Sequence, residues 1–215
     1  MQTNKSQPIS LPINGSDIEG TLVLPANAHG IVLFAHGSGS SRHSVRNNFV
    51  AKILNDEGMG TLLLDLLTQE EDQDFRARFD MALLTQRLLA ATRWVKTQAA
   101  TQHLPVGYFG ASTGAAAALQ AAAALGVGVK AVVSRGGRPD LAGQRELTRV
   151  KAPTLLLVGG RDESVIEMNQ MAYALLPCHK KMVIVPGATH LFEEPGALEE
   201  VAQLAAQWFA QHLKP

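Results

Sequence analysis

Short apolar runs alternate with segments of helical hydrophobic spacing along most of the chain, and this alternation limits the possible folds more than any other feature. The apolar runs occupy residues 30–35, 61–67, 106–110, 129–134, 154–158 and 181–185, and the helical segments occupy residues 49–57, 79–98, 113–125, 164–176 and 195–213. Strands that are apolar on both faces are typical of parallel sheets covered by helices on each side. The pattern therefore predicts an α/β fold with one doubly wound, mostly parallel sheet.

An antiparallel hairpin is predicted ahead of this alternation. Residues 9–13 and 18–24 are short apolar segments, and Asn14-Gly15 between them is a turn signal. The chain has 215 residues, of which 46% are hydrophobic, and this is sufficient for one large core. No repeat or long linker divides the sequence, so residues 1–215 are predicted to form a single domain.

The charge balance and the cysteine content argue against several classes of protein. Basic and acidic residues number 19 each, so no net charge favours binding to nucleic acid or to an anionic membrane. A single cysteine, Cys178, permits no intramolecular disulfide. The first residues lack the apolar stretch of a signal peptide, and no stretch resembles a membrane span, which predicts a cytoplasmic protein. The metal motif H-E-x-x-H, paired CxxC motifs and the P-loop do not occur, so no metal and no cofactor are predicted.

The clearest chemical motif lies where the apolar run ending at residue 110 meets an alanine-rich helix. Residues 110–114 have the pattern G-x-S-x-G, with Ser112 at its centre. Between a strand and a helix, this is the pattern of a nucleophile elbow, in which the chain reverses so sharply that side chains at the two glycine positions would collide. The same five residues also suit an ordinary tight turn, so the motif needs support from elsewhere in the chain.

Support comes from three other loops that are predicted at the same edge of the sheet. In doubly wound sheets, ligands bind outside the carboxyl ends of the strands. That edge gathers the loops at residues 36–42, 110–114, 159–163 and 186–192.

Three of these loops carry the residues of a Ser-His-Asp triad. The hydroxyl of Ser112 needs a base to take its proton, and His190 is the candidate base. Asp162 is the candidate acid that would hold the imidazole in one tautomer. Asp162 also suits the N-cap position of the helix that follows it, and Glu163 and Asp140 are alternative acids.

The fourth loop is predicted to contribute to an oxyanion hole. A tetrahedral intermediate needs two backbone amides directed at its negatively charged oxygen. One amide is expected from Thr113, which follows the candidate nucleophile, and the other from Ser38, with Gly39 as the alternative.

These motifs are similar to those of the α/β-hydrolase superfamily, and the chain resembles its small serine hydrolases of the dienelactone hydrolase-like group. The residues that carry the resemblance are His36-Gly37-Ser38-Gly39, Gly110-Ala111-Ser112-Thr113-Gly114, Gly159-Gly160-Arg161-Asp162 and Gly187-Ala188-Thr189-His190. The triad order of serine, aspartate and histidine along the chain is that of the superfamily. The resemblance implies an α/β-hydrolase fold with about eight strands, the second of them antiparallel, and helices on both faces.

The sequence departs from that group in two places. Dienelactone hydrolase itself uses a cysteine nucleophile, whereas the elbow here holds Ser112, and Cys178 is interpreted as a half-buried, unreactive thiol. Many relatives insert a lid after the sixth strand, but only residues 135–150 occupy that place here. A minimal or absent cap and an open site are therefore predicted.

The function predicted from these features is a serine hydrolase of the carboxylesterase or thioesterase type, which cleaves a small-molecule ester through an acyl-enzyme intermediate. Arg42 and Arg135 are candidate substrate-binding residues, because a planar guanidinium matches a carboxylate or a phosphate. Alternatively, the arginines near residues 135–149 form surface salt bridges with Asp140, Glu146 or the acidic residues of loop 70–74.

Two other functions are compatible with parts of the sequence. Gly37 and Gly39 begin a G-x-G-x-x-G pattern after a strand, and Asp65 ends the next strand as a ribose-binding acid would in a dinucleotide-binding protein. Arg42 replaces the third glycine, however, and arginine does not allow the close helix packing that this glycine provides. A non-catalytic binding module on the same fold is the second alternative.

Overall fold

The computed structural model describes residues 6–13 and 15–214, which form eight strands and six α-helices. The strands are β1 (Ser6–Ile13), β2 (Ser16–Val23), β3 (Ile31–Ala35), β4 (Gly60–Leu64), β5 (Val106–Ala111), β6 (Val129–Arg135), β7 (Thr154–Gly159) and β8 (Lys180–Val185). The helices are α1 (Val45–Asp56), α2 (Met81–Thr97), α3 (Thr113–Leu125), α4 (Gln144–Leu147), α5 (Glu163–Leu175) and α6 (Ala197–His212). The predicted turn at Asn14-Gly15 includes Asn14, which lies outside the described residues.

The strands form one sheet in the order β1-β2-β4-β3-β5-β6-β7-β8. Strand β2 pairs antiparallel with β1 and β4, and the pairs from β4 through β8 are parallel. In the centre of the sheet, Leu33 of β3 lies opposite Leu62 of β4 on one side and Tyr108 of β5 on the other. The topology confirms the predicted α/β-hydrolase fold, including its antiparallel second strand.

Helices cover both faces of the sheet. Helices α1 and α6 contact each other on one face, and α2 and α3 contact each other on the opposite face. Residues of β3 alternate between the two cores, since Val32 and Phe34 belong to one hydrophobic cluster while Ile31, Leu33 and Ala35 belong to the other. Each such fully buried aliphatic or aromatic side chain contributes about 1.5–3 kcal/mol relative to exposure.

Helix α3 packs directly behind the sheet because its side chains are small. Alanines 115–118 are fully buried, and the helix belongs to the same hydrophobic cluster as α2. The low complexity of residues 113–125 therefore reflects close packing against the sheet.

The starts of α1 and α2 differ from the positions that hydrophobic spacing alone predicts. Helix α1 begins at Val45, before its apolar residues, because Ser44 caps it by accepting a hydrogen bond from Asn47 N at 3.3 Å. Helix α2 begins at Met81, where Asp80 accepts a hydrogen bond from Leu83 N at 3.0 Å. None of the helices in the described ranges is long and apolar enough to cross a membrane.

The connection between β6 and β7 is short, as the sequence predicts. It contains the 3₁₀ helix Pro139–Ala142 and the one-turn helix α4. No larger insertion covers the carboxyl edge of the sheet at this position, so the predicted minimal cap is confirmed.

The acidic loop at residues 70–74 is more structured than a solvated surface segment. Both carboxylate oxygens of Glu71 accept hydrogen bonds from the buried Arg87, at 2.5 and 2.6 Å. These bonds lower the pKa of Glu71 to about 2. Asp72 forms a similar pair with Arg78 at 3.0 Å. The loop is thereby held to α2, next to the edge of the sheet at which the predicted site lies.

Candidate active site

Ser112 occupies a sharp turn between β5 and α3. Its φ and ψ angles are 50° and −122°, a combination that residues with a side chain rarely adopt. A Cβ atom at Gly110 would lie 2.4 Å from Ala115 Cα, and one at Gly114 would lie 2.1 Å from the carbonyl oxygen of Ala35. Both positions therefore require glycine, because any side chain there would collide with the backbone. This is the steric demand that the G-x-S-x-G pattern predicts.

The three residues predicted to form a triad lie in contact with one another. His190 Nε2 is 3.3 Å from Ser112 Oγ, and His190 Nδ1 is 2.6 Å from Asp162 Oδ2. A carboxylate only accepts hydrogen bonds, so Nδ1 carries the proton that is donated to Asp162. Nε2 is then left to accept the proton of the Ser112 hydroxyl. These side chains come from the ends of β5, β7 and β8, which meet at one edge of the sheet.

The alternative acids do not contact His190. Glu163 is exposed on the first turn of α5. Asp140 accepts two hydrogen bonds from Arg138, at 2.9 and 2.7 Å. Asp162 does stand at the N-cap position of α5, but its side chain makes no capping hydrogen bond, because it points to His190 instead.

The loop that carries His190 is fixed from both sides. The Thr189 amide donates a hydrogen bond to Glu194 Oε2 at 3.0 Å, and this bond lowers the pKa of Glu194. A Cβ atom at Gly159 would lie 2.5 Å from the carbonyl oxygens of Ala188 and Thr189, so the ends of β7 and β8 approach each other closely. This approach brings Asp162 and His190 within hydrogen-bonding distance.

The candidate oxyanion donors face the elbow. The Ser38 amide donates a hydrogen bond to Thr113 Oγ1 at 2.9 Å, so it points at the residue that follows Ser112. Thr113 is the first residue of α3, and its own amide has no partner within the helix. A Cβ atom at Gly37 would lie 2.9 Å from Ser112 Cβ, which shows how closely the two loops approach. Gly39, the alternative to Ser38, lies beside the guanidinium of Arg78 instead.

His36 anchors the loop that carries Ser38. Its Nδ1 donates to the carbonyl oxygen of Gly37 at 2.9 Å, and its Nε2 accepts a hydrogen bond from Leu66 N at 2.8 Å. Burial lowers the pKa of this imidazole, and the hydrogen bond to Gly37 opposes that effect only in part. The sequence places His36 in the loop but contains no pattern that predicts this role.

A pocket of about 180 Å³ opens beside Ser112. Its lining residues are Gly37, Ser38, Ser40, Ser44, Arg46, Ala111, Ser112, Arg135, His190 and Leu191. Arg135, a candidate substrate-binding residue, therefore lies in the wall of this pocket. Arg46 and Ser44 were not predicted as site residues, because they lie at the start of α1 and only the packing of α1 brings them to the pocket.

Arg42, the other candidate substrate-binding residue, lines a neighbouring pocket and is not among the residues that line the pocket beside Ser112. Its backbone amide donates to Asp65 Oδ1 at 2.6 Å, and its guanidinium forms an ion pair with the same carboxylate. Both residues line a second pocket of about 170 Å³ together with His36. Because Asp65 is engaged by Arg42, its carboxylate does not fit the ribose-binding role required by the dinucleotide alternative.

Two arginines of the connection between β6 and β7 form the predicted surface salt bridges. Arg138 pairs with Asp140 at 2.7 Å and Arg149 pairs with Glu146 at 3.1 Å. These pairs are partly or fully exposed, so each contributes at most about 1 kcal/mol to stability.

Cys178 lies far from this site, on the loop that precedes β8 at the opposite edge of the sheet. Its thiol is half-buried, 3.7 Å from Thr154 Oγ1, and burial raises its pKa. A raised pKa reduces the thiolate fraction, so the thiol is a weak nucleophile. Across residues 6–13 and 15–214, no three histidine, cysteine, aspartate or glutamate side chains are grouped as metal ligands.

Comparison with known proteins places this chain in a family. A family model described as the dienelactone hydrolase family matches residues 18–214. The solved structure of a dienelactone hydrolase from Anabaena variabilis is 56% identical, covers 98% of this chain and 99% of its own, and superimposes with a TM-score of 0.94.

More distant structures share the fold. Est1E from Butyrivibrio proteoclasticus is 16% identical, with a TM-score of 0.82 over 95% of this chain and 98% of its own. A cold-adapted esterase from an Arctic intertidal metagenomic library is 19% identical, with a TM-score of 0.83 over 100% of this chain and 96% of its own. At these identities the likeness concerns the fold alone.

Two curated relatives carry a different name. Proteins from two strains of Mycobacterium tuberculosis, provisionally named phosphoribosyl transferases, are 60% identical over 196 residues, which is 91% of this chain but 44% of theirs. The chain thus spans less than half the length of these relatives. Since the family match extends over residues 18–214 and the dienelactone hydrolase matches almost end to end, this chain belongs to the dienelactone hydrolase family and has the α/β-hydrolase fold.

Proposed function

We propose that the protein is a serine ester hydrolase of the carboxylesterase or thioesterase type that acts on a small ester. The observation that carries this proposal is the continuous contact from Ser112 Oγ through the imidazole of His190 to Asp162, over distances of 3.3 and 2.6 Å. Nucleophile, base and orienting acid are the three groups that serine-based acyl transfer requires.

In the acylation step, His190 Nε2 takes the hydroxyl proton while Ser112 Oγ forms a bond to the carbonyl carbon of the ester. The electron pair of the carbonyl double bond moves to its oxygen. The resulting intermediate collapses, the bond to the leaving alcohol or thiol breaks, and His190 returns the proton to that leaving group. Asp162 remains ionised and stabilises the imidazolium formed in between.

Deacylation repeats these steps with water. His190 removes a proton from a water molecule as the water oxygen attacks the acyl carbon, and the proton then passes to Ser112 Oγ as the acid product leaves. His190 is about 38% exposed, so water has direct access to the acyl-enzyme. The absence of a larger insertion between β6 and β7 is consistent with this open arrangement.

The amides of Thr113 and Ser38 are proposed to hold the oxyanion in both steps. This role is supported by the direction of the Ser38 amide, which points at the side chain of Thr113. When substrate binds, the Thr113 hydroxyl has to yield this donor to the oxyanion. Each such donor is worth about 3–4 kcal/mol of transition-state stabilisation.

The size of the pocket favours a small substrate. About 180 Å³ accommodates a short acyl or alcohol group, and a longer chain would have to extend out of the pocket into solvent. Dienelactone is not the proposed substrate, because Ser112 stands in place of the cysteine nucleophile of dienelactone hydrolase itself. Esters and thioesters of graded chain length, assayed side by side, are expected to show a maximum at short acyl groups.

Phosphoribosyl transfer, the activity in the name of the Mycobacterium tuberculosis relatives, is not favoured for this chain. More than half of each relative lies outside the matched region, and the matched region corresponds to the hydrolase family. The name therefore concerns a longer protein, and the residues of the candidate site support acyl transfer.

The proposal is tested with a fluorophosphonate probe and with p-nitrophenyl acetate. The probe should label Ser112, identified by mass spectrometry of the peptide, and Ser112→Ala should abolish both labelling and turnover while the circular dichroism spectrum is unchanged. Ser10→Ala, at an exposed position of β1, is the matched control and should behave as the parent. Correctly folded protein that neither reacts with the probe nor hydrolyses any ester would instead be a non-catalytic binding module.

A further inference from the structure

Arg135 is a buried cation without a carboxylate partner among residues 6–13 and 15–214, and it lies in the wall of the candidate active site. It is the last residue of β6, is 7% exposed, and lines the pocket that contains Ser112 and His190. Its Nε is buried and makes no hydrogen bond within the described ranges, and its guanidinium has no carboxylate within salt-bridge distance there.

The other described arginines are either paired or exposed. Those with a carboxylate partner are Arg42, Arg46, Arg78, Arg87, Arg138, Arg145 and Arg149. Arginines 76, 93 and 161 are exposed to solvent. Arg135 thus differs from all of them, because an unpaired charge buried in a protein is strongly unfavourable unless a ligand compensates it.

Arg135 is nevertheless a cation near neutral pH. Burial and, to a smaller extent, the charge of Arg46 lower its pKa to about 10, which is still well above 7. The guanidinium lies over the ring of Phe192, with 5.9 Å from Cζ to the ring centroid. This stacking supports one face of the group but satisfies none of its N–H donors.

Arg46 places a second guanidinium in the same pocket, with its charge paired to Glu193. Its Nη1 donates to Glu193 Oε1 at 2.6 Å on the exposed side, while its Nε is buried without a hydrogen-bond partner in the described part of the chain. The pocket is lined by two arginines and several serines, and no carboxylate is among its lining residues. The wall beside Ser112 is therefore positively charged and rich in unused donors.

We propose that Arg135, assisted by Arg46, binds an oxyanion carried by the ester substrate, a carboxylate or a phosphate. A guanidinium offers N–H donors in a planar fork that matches either group. This inference rests on the proposed esterase function and specifies the class of its substrate. Because the pocket measures about 180 Å³, the acid group has to lie within a few bonds of the ester, as in the half-ester of a short dicarboxylic acid.

The first experiment compares esters of equal size and different charge. Monoethyl succinate carries a carboxylate, and ethyl succinamate replaces that carboxylate with a neutral amide of the same shape. Rates are followed at pH 7.5 by titration of the released acid. Ethyl 3-phosphonopropanoate tests whether a phosphate-like group is preferred over a carboxylate. A comparison of the rates on acetoxyacetate and acetoxyacetamide tests a charge on the alcohol side of the ester. We expect kcat/KM to be about 10- to 100-fold higher for at least one charged ester than for its neutral match, as expected for hydrogen bonds to a charged group.

Variants of Arg135 then identify the residue responsible. Arg135→Met, which keeps the volume and removes the charge, should abolish this preference, so that the ratio of kcat/KM between the charged ester and its neutral match falls to about 1, and Arg135→Lys should restore part of the ratio. Arg149→Met is the matched control, because Arg149 is an exposed, paired arginine at the opposite edge of the sheet. Should Arg135→Met not fold, Arg46→Gln provides the second variant, with an expected loss of preference of about 3- to 10-fold.

A binding measurement gives a readout that does not depend on turnover of the chosen esters. Glutarate and inorganic phosphate are tested for protection of Ser112 against the fluorophosphonate probe, with glutaramide as the neutral comparison. Protection by an anion that is lost in Arg135→Met supports the subsite. Equal labelling with anion and amide, together with equal rates on charged and neutral esters, would overturn it.

The two proposals can fail separately. If Ser112 is labelled and neutral esters are hydrolysed without any preference for charge, the oxyanion subsite is wrong and the esterase proposal stands. If Ser112 is not labelled and no ester is hydrolysed, the esterase proposal fails and the substrate inference fails with it.

Discussion

At the scale of single residues, the site depends on a few side chains whose roles are set by their neighbours. Ser112 adopts a positive φ of 50°, which only the surrounding turn makes possible. Asp162 could have capped α5, as aspartate commonly does, but its carboxylate accepts the hydrogen bond of His190 Nδ1 at 2.6 Å. The sequence is compatible with both roles, the helix cap and the partner of His190. The position of His190 in the fold determines that the carboxylate contacts the imidazole.

Replacement of Asp162 tests its role as the orienting acid. In Asp162→Asn, the amide cannot accept in the same way from Nδ1, so the imidazole is no longer held in the tautomer that leaves Nε2 unprotonated. We expect kcat to fall by about 10²- to 10⁴-fold with little change in KM. Steady-state kinetics with p-nitrophenyl acetate measure this effect. Glu163→Gln should keep parental rates, and the opposite pattern would make Glu163 the acid.

Thr113 offers a second test at this scale, because its hydroxyl accepts the hydrogen bond of the Ser38 amide. If the two backbone amides form the oxyanion hole, Thr113→Val releases the Ser38 amide and should leave kcat/KM within about threefold of the parent, since the expected donors of about 3–4 kcal/mol each are retained. Thr113→Ser keeps the hydroxyl and serves as the comparison. A loss of more than tenfold in Thr113→Val alone would mean that the hydroxyl itself contributes to the hole.

At the scale of secondary structure elements, the site is a set of close contacts between strand ends and helix α3. The elbow is anchored to β6 by the bond from Ser112 N to the carbonyl oxygen of Arg135, at 3.2 Å. The loop that carries Ser38 is anchored by His36 to Leu66, just after the end of β4. The buried alanines of α3 allow this helix to pack directly behind the sheet.

Gly114→Ala probes how tightly α3 approaches β3. The added methyl group would lie 2.1 Å from the carbonyl oxygen of Ala35 and 2.5 Å from that of His36, so backbone has to move. We expect a loss of stability of about 3 kcal/mol or more and loss of activity, measured by urea denaturation and ester hydrolysis. Gly128→Ala is the control, because its nearest neighbour outside the adjacent residues, Leu125 Cβ, is at an ordinary 3.7 Å. Equal stability of the two variants would contradict this account.

At the scale of the whole molecule, all strands of the described residues belong to one sheet, and that sheet separates two chemically different edges. The carboxyl edge carries the candidate triad, the pocket lined by Arg135 and the loop that contains Ser38. The opposite edge carries Cys178 in a larger groove of about 880 Å³. The buried His36 connects the loop of the candidate site to the folded core. Because burial lowers the pKa of His36, the stability of the whole molecule depends on pH.

The buried His36 leads to a pH prediction for global unfolding. Burial lowers the pKa of His36 in the folded state below the unfolded value of 6.5. As the pH falls towards and below 6.5, the unfolded chain therefore binds more protons than the folded protein does. Stability should therefore decrease between about pH 7.5 and pH 5. His212 also has a lowered pKa, caused mainly by burial, and adds to the same trend.

Thermal or urea unfolding at several pH values measures this slope. His36→Gln can still accept the hydrogen bond of Leu66 N but cannot be protonated. We expect it to be less stable than the parent at pH 7.5 and to show a shallower fall in stability towards pH 5. His103→Gln, at an exposed position, should follow the parental curve. An unchanged slope in His36→Gln would show that His36 is not the responsible group.

Much of the fold and most of the candidate site could be predicted from local sequence patterns. Continuous apolar runs predict buried parallel strands, and glycine spacing around Ser112 predicts the elbow, because both depend on the steric demands of a few neighbouring residues. Helix starts were less predictable, since capping by Ser44 and Asp80 extends or shortens helices independently of their apolar spacing.

The sequence by itself determined the α/β class, the order of the candidate triad and the residue types that acyl transfer needs. Only the tertiary structure decided which charges meet. Arg42 forms an ion pair with Asp65 and does not line the pocket beside Ser112. Arg135, at the end of β6, is buried in the wall of that pocket without a carboxylate partner in the described residues. Pairing between residues distant in sequence depends on how strands and loops converge, and no local pattern encodes that convergence.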